Sequence, residues 1–104
     1  MGALLVVTLW TAHAHAQDRH TQTIRGTVTD EESHEPLSGV HVFINEMNKG
    51  TVTNENGEFT LVNIPVGRHS VKFSYLGYHP VEYSDVIVST GKEVVLTVHT
   101  QRFR

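Results

Sequence analysis

The sequence predicts an all-β fold, a β-sandwich of seven antiparallel strands, and three observations predict it. After residue 16 the chain contains no alanine, the strongest helix former, while 27 of the remaining 88 residues are Val, Thr or Ile. Apolar and polar residues alternate over short stretches such as 24–28 and 94–98. Glycines recur at intervals of 7 to 14 residues from Gly26 to Gly91, which is the spacing of short strands separated by turns.

Each strand is predicted from its own pattern. Alternation predicts strands that span 24–28, 40–44, 50–53, 59–61, 69–75 and 94–98. The stretch 81–88 is a seventh strand, whose apolar parity switches between Tyr83 and Val86, and this switch predicts a bulge. The run Asn54-Glu55-Asn56-Gly57 predicts a tight hairpin turn, because Asn and Gly tolerate the positive φ that such a turn requires. Further breaks are predicted at 30–36, 64–67, 77–80 and 90–92.

The amino-terminal segment is predicted to be a secretory signal peptide that spans residues 1–16. Its apolar run is too short to cross a bilayer, and Ala14-His15-Ala16 is the small-residue pattern that precedes signal-peptidase cleavage. Cleavage is expected between Ala16 and Gln17. A buried amino-terminal strand or helix is the alternative. The predicted mature chain then has a flexible lead-in (17–22), the sandwich (23–100) and a linker or frayed end (101–104).

The composition excludes several classes of function. The formal net charge of -3 provides no excess of cations for phosphates, so nucleic acid is not an expected partner. The absence of cysteine excludes a disulfide, a thiolate zinc site and a cysteine nucleophile. At 104 residues, the chain is too short for a membrane-spanning barrel or a multi-domain hydrolase.

No candidate active site, cofactor site or metal site emerges from the motifs. The histidines lack chelating spacing after residue 16, and His79-Pro80-Val81-Glu82 matches the zinc-binding H-x-x-E pattern without a third ligand. Two turns could offer oxygen ligands to Ca²⁺, one acidic (Asp30, Glu31, Glu32, Glu35) and one around Asn54, Asn56 and Glu58, but neither has the full calcium-loop pattern. We therefore expect a non-enzymatic protein that binds no cofactor.

Two features could serve binding instead. Four apolar residues are out of register with the predicted core and could form an exposed patch: Phe43, Val62, Ile87 and Val95. The alternative is that they are isolated exposed hydrophobic residues, which are common. The edge strands of the predicted sandwich offer a second route, in which an extended partner strand extends a sheet.

Four sequence blocks resemble the carboxypeptidase regulatory-like domain, a seven-stranded sandwich of the transthyretin-like (prealbumin-like) type. The blocks read IRGTVTD (24–30), PLSGVHV (36–42), GTVTNENGEF (50–59) and VKFSYLGY (71–78), and they cover nearly all of the mature chain. The positions that carry architectural roles in these blocks are Gly26, Asp30, Pro36, Gly39, Gly57, Phe59, Gly77 and Tyr78.

The residue types explain these roles. Gly26 lies on an inward face where a second backbone can approach closely, and Pro36 and Gly39 bracket a turn. Gly57 provides the left-handed conformation of its turn. Tyr78 is expected to fold its ring over the end of the sandwich while its hydroxyl stays in water.

The resemblance implies a location and a role. Similar domains follow a signal peptide in many TonB-dependent outer-membrane receptors, where they lie in the periplasm ahead of the plug and barrel and serve glycan or nutrient import. We therefore expect an exported, non-catalytic docking or spacer domain in the periplasm or on the periplasmic side of the outer membrane. Its expected partner is the plug and barrel or another envelope protein, with a glycan as a further candidate and no membrane span in this chain. The alternatives are a stand-alone secreted sandwich that binds glycan or protein, and an accessory domain of a metallocarboxypeptidase.

Overall fold

The computed structural model describes residues 20–104, which form seven strands and one 3-10 turn. The bounds are β1 (Thr21–Asp30), β2 (His41–Ile44), β3 (Lys49–Val52), β4 (Glu58–Pro65), β5 (Gly67–Ser74), β6 (Val81–Val88) and β7 (Val94–Thr100), with the 3-10 turn Asn45–Met47 between β2 and β3. The strands form two sheets that pack face to face. The predicted all-β sandwich is therefore confirmed.

The two sheets differ in size and in strand direction. The three-stranded sheet has the order β4-β1-β7, and the four-stranded sheet has the order β3-β2-β5-β6. All pairs are antiparallel except β1 and β7, which run parallel from Ile24–Val94 to Asp30–Thr100. The predicted antiparallel arrangement thus has one exception. Parallel neighbours need a long crossover between them, and here strands β2 to β6 form that crossover.

The chain enters and leaves the sandwich at opposite ends. The upper end is where β1 and β7 finish, and it also carries the turns 31–40, 53–57 and 75–80. The lower end is where β1 begins, and it carries the 3-10 turn and the loop 89–93. This separation of entry and exit follows from the parallel pairing of the first and last strands.

One apolar core joins the sheets. It consists of Val40, which directly precedes β2, and of residues from all the strands except the short edge strand β3: Ile24, Val28, Val42, Ile44, Phe59, Leu61, Ile64, Val71, Phe73, Val86, Val88 and Val98. Phe73 of one sheet meets Phe59 of the other edge-to-face, with ring centroids 5.4 Å apart. Such a pair stabilises a fold by about 0.5–1.5 kcal/mol beyond the burial of its area. The sandwich is thus held by its core without disulfides.

The turn Asn54–Gly57 forms, but it does not close a hairpin as predicted. The Gly57 amide donates to the Asn54 carbonyl at 2.8 Å, and Asn54 Oδ1 accepts from the amides of Asn56 and Glu58 at 2.9 Å each. However, β3 and β4 belong to different sheets. The turn therefore carries the chain across the sandwich, because β4 pairs with β1 and places Phe59 in the core from the opposite side.

The predicted bulge in β6 is present. Val71 pairs with Tyr83 and His69 pairs with Val86, so Ser84 and Asp85 stand opposite the single residue Ser70. The extra residue lets Val86 point into the core although it lies three positions after Tyr83.

The predicted signal peptide 1–16, its Ala16–Gln17 cleavage site and the first half of the lead-in 17–22 lie outside the described residues; Thr21 and Gln22 belong to β1. For residues 101–104, predicted as a linker or frayed end, the structure shows defined contacts. The Phe103 amide donates to the Gly77 carbonyl, and the His79 amide donates to the Gln101 carbonyl, both at 2.9 Å. Within residues 20–104, no helix is long and apolar enough to cross a membrane.

Candidate functional site

Gly26 lies at a close approach between the backbones of β1 and β7. A Cβ atom at this position would overlap the Leu96 carbonyl oxygen and would lie 2.9 Å from the Leu96 carbonyl carbon. On its other side Gly26 pairs with Phe59, which belongs to the same set of predicted residues. Only glycine leaves room for this approach.

The remaining turn residues gather at the upper end. Gly57 has a φ of 75°, and a Cβ there would lie 2.7 Å from the Val28 carbonyl oxygen and 3.0 Å from Pro36 Cβ. Pro36 in turn forms a bridge to the end of β1. Gly39 and Gly77 also have positive φ, at 91° and 88°. The predicted turn residues thus fix three neighbouring connections.

A buried carboxylate forms the centre of the upper end. Asp30 is only 5% exposed, and its Oδ1 accepts from the amides of Glu32 and Ser33 at 2.8 and 3.0 Å. Its Oδ2 accepts from the Tyr78 hydroxyl at 2.5 Å. The Tyr78 hydroxyl, followed by the Ser33 amide, lowers the pKa of Asp30 to about 2. The expectation that this hydroxyl stays in water is wrong, because a buried carboxylate must find donors and Tyr78 supplies one.

Arg102 completes this upper-end cluster, which we define as Asp30, Tyr78 and Arg102. Its Nη2 donates to the Tyr78 hydroxyl oxygen at 3.3 Å and lies 3.8 Å from Asp30 Oδ2. The contact with Tyr78, together with the charge of Asp30, raises the pKa of Arg102. Sequence reasoning missed Arg102 because it treated the tail as separate from the sandwich. The cluster ties that tail to the last residue of β1.

Thr53 is a second buried polar residue that the sequence did not single out. Its hydroxyl donates to the Leu37 carbonyl at 2.6 Å and accepts from the Val40 amide at 2.9 Å. These bonds hold the turn before β2 against the end of β3. Thr53 stands at a strand end in a threonine-rich chain, so no local pattern distinguishes it.

His69 is a buried residue at the lower end. Its Nε2 lies 2.7 Å from the Pro65 carbonyl oxygen, and its Nδ1 lies 3.3 Å from Glu46 Oε2. The backbone amide of Glu46 and the His69 ring lower the pKa of the Glu46 carboxyl. His69 thus links the β4–β5 corner to the 3-10 turn.

The metal hypotheses find no assembled ligand set. In the part of the chain that the structure describes, no three His, Cys, Asp or Glu side chains come together in a metal-binding arrangement. The ring of His79 packs on the ring of Phe103, with the centroids 4.4 Å apart. Glu82, on β6, instead accepts a hydrogen bond from Ser70 Oγ at 2.8 Å. The carboxylate of Asp30 is occupied by its internal donors, and Asn54 Oδ1 by two amides.

The four apolar residues considered as one patch lie on two separate faces. Val62 and Val95 stand on the outer face of the three-stranded sheet, whereas Phe43 and Ile87 belong to the four-stranded sheet. Phe43 lines an open cavity of about 360 Å³ along β2 and β3. It is also lined by Gly50, which lies directly opposite Phe43 in the strand pairing, and by Asn45 and Asn48.

Comparison with known proteins identifies the family. The model of the carboxypeptidase regulatory-like domain matches residues 23–101, which include all seven strands apart from the first two residues of β1. The chain belongs to this family. No curated protein matches the chain.

This carboxypeptidase regulatory-like domain has structural neighbours with varied roles. They include a chain of the type II cohesin–X-dockerin complex of Acetivibrio cellulolyticus (TM-score 0.66, 22% identity, 76% of this chain and 56% of that one). A second neighbour is a protein of Bacteroides uniformis ATCC 8492 that is named for carbohydrate binding. Its TM-score is 0.59 at 17% identity, over 78% of this chain and 41% of that one. A third neighbour is the major pilin subunit BcpA of Bacillus cereus. Its TM-score is 0.60 at 17% identity, over 81% of this chain and 31% of that one. The chain spans about a third to just over half of these proteins, and the likeness establishes the sandwich fold.

Proposed function

We propose that this protein is a non-catalytic docking and spacer domain of a TonB-dependent outer-membrane receptor, exported to the periplasm. The observation that carries the proposal is the family match over residues 23–101, directly after a segment with the pattern of a secretory signal. The same segment supports a location on the periplasmic side of the outer membrane.

The geometry of the sandwich supports a spacer. The chain enters at the lower end and leaves at the upper end, so flanking segments stand apart by the length of the sheet. The upper-end cluster fixes the tail through Arg102, which gives the exit a defined direction. The four buried polar side chains make hydrogen bonds within the sandwich, which supports a non-catalytic role: Asp30, Thr53, His69 and Thr100.

A single fractionation experiment tests this role. An antibody raised against residues 20–104 is used to probe periplasmic and outer-membrane fractions of the source cells. The expected result is an outer-membrane band of receptor size, far above the 11.6 kDa of this chain. A soluble band at or below 11.6 kDa, with none in the outer membrane, would contradict the receptor role.

A stand-alone sandwich that binds glycan is the second candidate, and the cavity beside Phe43 favours it. Aromatic rings and amide side chains line sites that hold apolar and polar groups together, and Phe43, Asn45 and Asn48 provide both kinds around this cavity. The neighbour from Bacteroides uniformis that is named for carbohydrate binding shares the fold.

Nuclear magnetic resonance titration with a panel of oligosaccharides tests the second candidate. The expected result is a set of shifts confined to the amides of Phe43 and Gly50, and their loss in Phe43→Ala. Ile87→Ala is the matched control, since Ile87 is 59% exposed and belongs to the same sheet. Shifts that persist in Phe43→Ala would exclude the cavity as the binding site.

A further inference from the structure

His69 lies between two hydrogen-bond acceptors that come from different elements. Its Nε2 is 2.7 Å from the Pro65 carbonyl oxygen, at the corner between β4 and β5. Its Nδ1 is 3.3 Å from Glu46 Oε2, in the 3-10 turn. Pro65 offers only a carbonyl oxygen, and the contact with Glu46 is the only ion pair of His69 among residues 20–104. Each ring nitrogen therefore faces an oxygen atom.

Only the doubly protonated form of the ring can donate to both oxygen atoms. A neutral imidazole carries one N–H group, so its other nitrogen presents a lone pair. Glu46 does not supply the missing proton, because its own backbone amide and the His69 ring lower the pKa of its carboxyl. When His69 is neutral, a lone pair of one ring nitrogen would thus face an acceptor.

The two contacts differ in how they respond to the loss of the proton. The contact with Pro65 is the shorter one, and its oxygen belongs to the backbone of a strand. The Glu46 side chain is 50% exposed and can turn to water, whereas the His69 side chain is only 10% exposed. Neutral His69 should therefore keep its proton on Nε2 and lose its bond to Glu46.

The other charged groups on the strands that pack against His69 are bound or distant. Arg68, beside it on β5, lies 3.8 Å from Asp85 of β6, and both of these side chains are exposed. Glu82 of β6 lies on the far side of the bulge from the residue that pairs with His69. Strand β4 has one charged residue, Glu58, at the end of the strand away from the corner.

We propose that His69 holds the 3-10 turn to β5 in its doubly protonated form and releases Glu46 when Nδ1 loses its proton. Imidazole is the side-chain group whose charge changes in the physiological range of pH. Asn45, the first residue of the turn, and Asn48, the residue after it, line the cavity beside Phe43. The protonation of one buried ring thus controls how firmly one border of this cavity is held. This inference goes beyond the proposed function, because it concerns the response of the fold to pH.

A second bond limits the size of the effect. A hydrogen bond from the backbone amide of Ser70 also lowers the pKa of Glu46. This amide does not titrate, so its bond remains when His69 is neutral, and the turn loosens without detaching. We expect the loss of one charge-assisted hydrogen bond, which is equivalent to roughly tenfold in an equilibrium constant.

Amide hydrogen exchange at about pH 5 and about pH 8 tests the proposal, with the chain purified from the periplasm of an expression host. The reporter is the Asn48 amide, which donates to the Asn45 carbonyl at 3.0 Å and closes the turn. Its protection factor, which corrects for the effect of pH on the exchange chemistry, should be about tenfold lower at the higher pH. The Gly57 amide, which donates to the Asn54 carbonyl at the upper end, should keep the same protection factor.

Two variants should remove the pH dependence, and a third should keep it. In Glu46→Gln, the side-chain amide accepts from protonated Nδ1 through its oxygen and donates to unprotonated Nδ1 through its nitrogen. His69→Gln has no titrating ring, and it provides a second test if Glu46→Gln does not fold. His41→Gln is the matched control, because His41 is exposed on the neighbouring strand β2 and its loss should leave the dependence intact.

The ring of His69 gives a second readout in the wild-type protein. Nitrogen-15 nuclear magnetic resonance at about pH 8 should find the remaining proton on Nε2. A neutral ring with its proton on Nδ1 would overturn the proposal, because the bond to Glu46 would then survive. The same protection factor for Asn48 at both pH values would also overturn it. So would a pH dependence that persists in Glu46→Gln or His69→Gln, or one that His41→Gln removes.

Discussion

Replacing Gly26 by alanine tests whether the close approach of β1 and β7 determines the stability of the sandwich. The change adds one methyl group to a residue whose backbone conformation alanine can adopt, since its φ is not in the left-handed region. Only the contact with Leu96 is therefore altered. The new Cβ would overlap the Leu96 carbonyl oxygen, and the nearest other atoms are backbone atoms that cannot rotate away.

The expected loss of stability follows from the separation of the two strands. A carbon atom needs roughly 3.3 Å from a carbonyl oxygen, so β1 and β7 must move apart by on the order of 1 Å around Gly26. Ladder hydrogen bonds of ordinary length would then weaken or break. About three such bonds at roughly 1 kcal/mol each would be affected, against a gain of about 0.5–1 kcal/mol from replacing glycine within a strand. We expect the free energy of unfolding to fall by about 2–2.5 kcal/mol.

Urea denaturation at 25 °C measures this effect. With an m value of about 1 kcal/mol/M, the midpoint should fall by roughly 2–2.5 M at an unchanged slope. Gly91→Ala is the matched control, because Gly91 is exposed and a Cβ there meets no atom within 4 Å. That variant should stay within about 0.5 kcal/mol of wild type. A Gly26→Ala variant with the same stability as Gly91→Ala would refute the assignment of this contact.

Three further predictions concern the upper end and the amino terminus. Asp30 has a pKa lowered from 3.8 to about 2, so its carboxylate stabilises the fold above about pH 4 and this contribution is lost as the pH falls through about 2. Tyr78→Phe should therefore destabilise the protein at neutral pH, and urea denaturation should show the difference from wild type shrinking between about pH 4 and 2. Thr53→Val leaves the Leu37 carbonyl and the Val40 amide without their partner, and should lower the free energy of unfolding by about 2–4 kcal/mol; Thr53→Ser, which keeps the hydroxyl, should recover most of this loss. Mass spectrometry of the exported chain should find Gln17 as its first residue, and a mass that includes residues 1–16 would contradict the predicted signal peptide.

Much of the fold could be predicted because its determinants are local. Alternation and glycine spacing located the strands, and the parity switch between Tyr83 and Val86 located the bulge. The parallel direction of β1 and β7 could not be predicted in this way, because alternation records which side of a strand is buried and not which way the strand runs. The false hairpin at Asn54–Gly57 has the same origin, since a tight turn does not specify the sheet to which the next strand belongs.

The candidate site was predictable only in part, because its bonds join distant segments. Asp30 and Tyr78 were both selected from sequence, but their hydrogen bond joins residues 48 positions apart and no local pattern reports it. Arg102 was missed because a single arginine in a tail carries no periodicity. His69 was placed on a strand correctly, yet its burial depends on Glu46 and Pro65, which reach it from two other elements.

The parallel pairing of β1 and β7 also determines how the domain responds to mechanical force. A pull applied to the two flanking segments would act on the start of β1 at the lower end and on the end of β7 at the upper end. The force would then act parallel to the two strands. Their hydrogen bonds would be loaded in shear at the same time, instead of breaking one after another. We therefore expect force spectroscopy to find high resistance to pulling along this axis. A domain joined to its neighbours at both ends could thus transmit tension without unfolding.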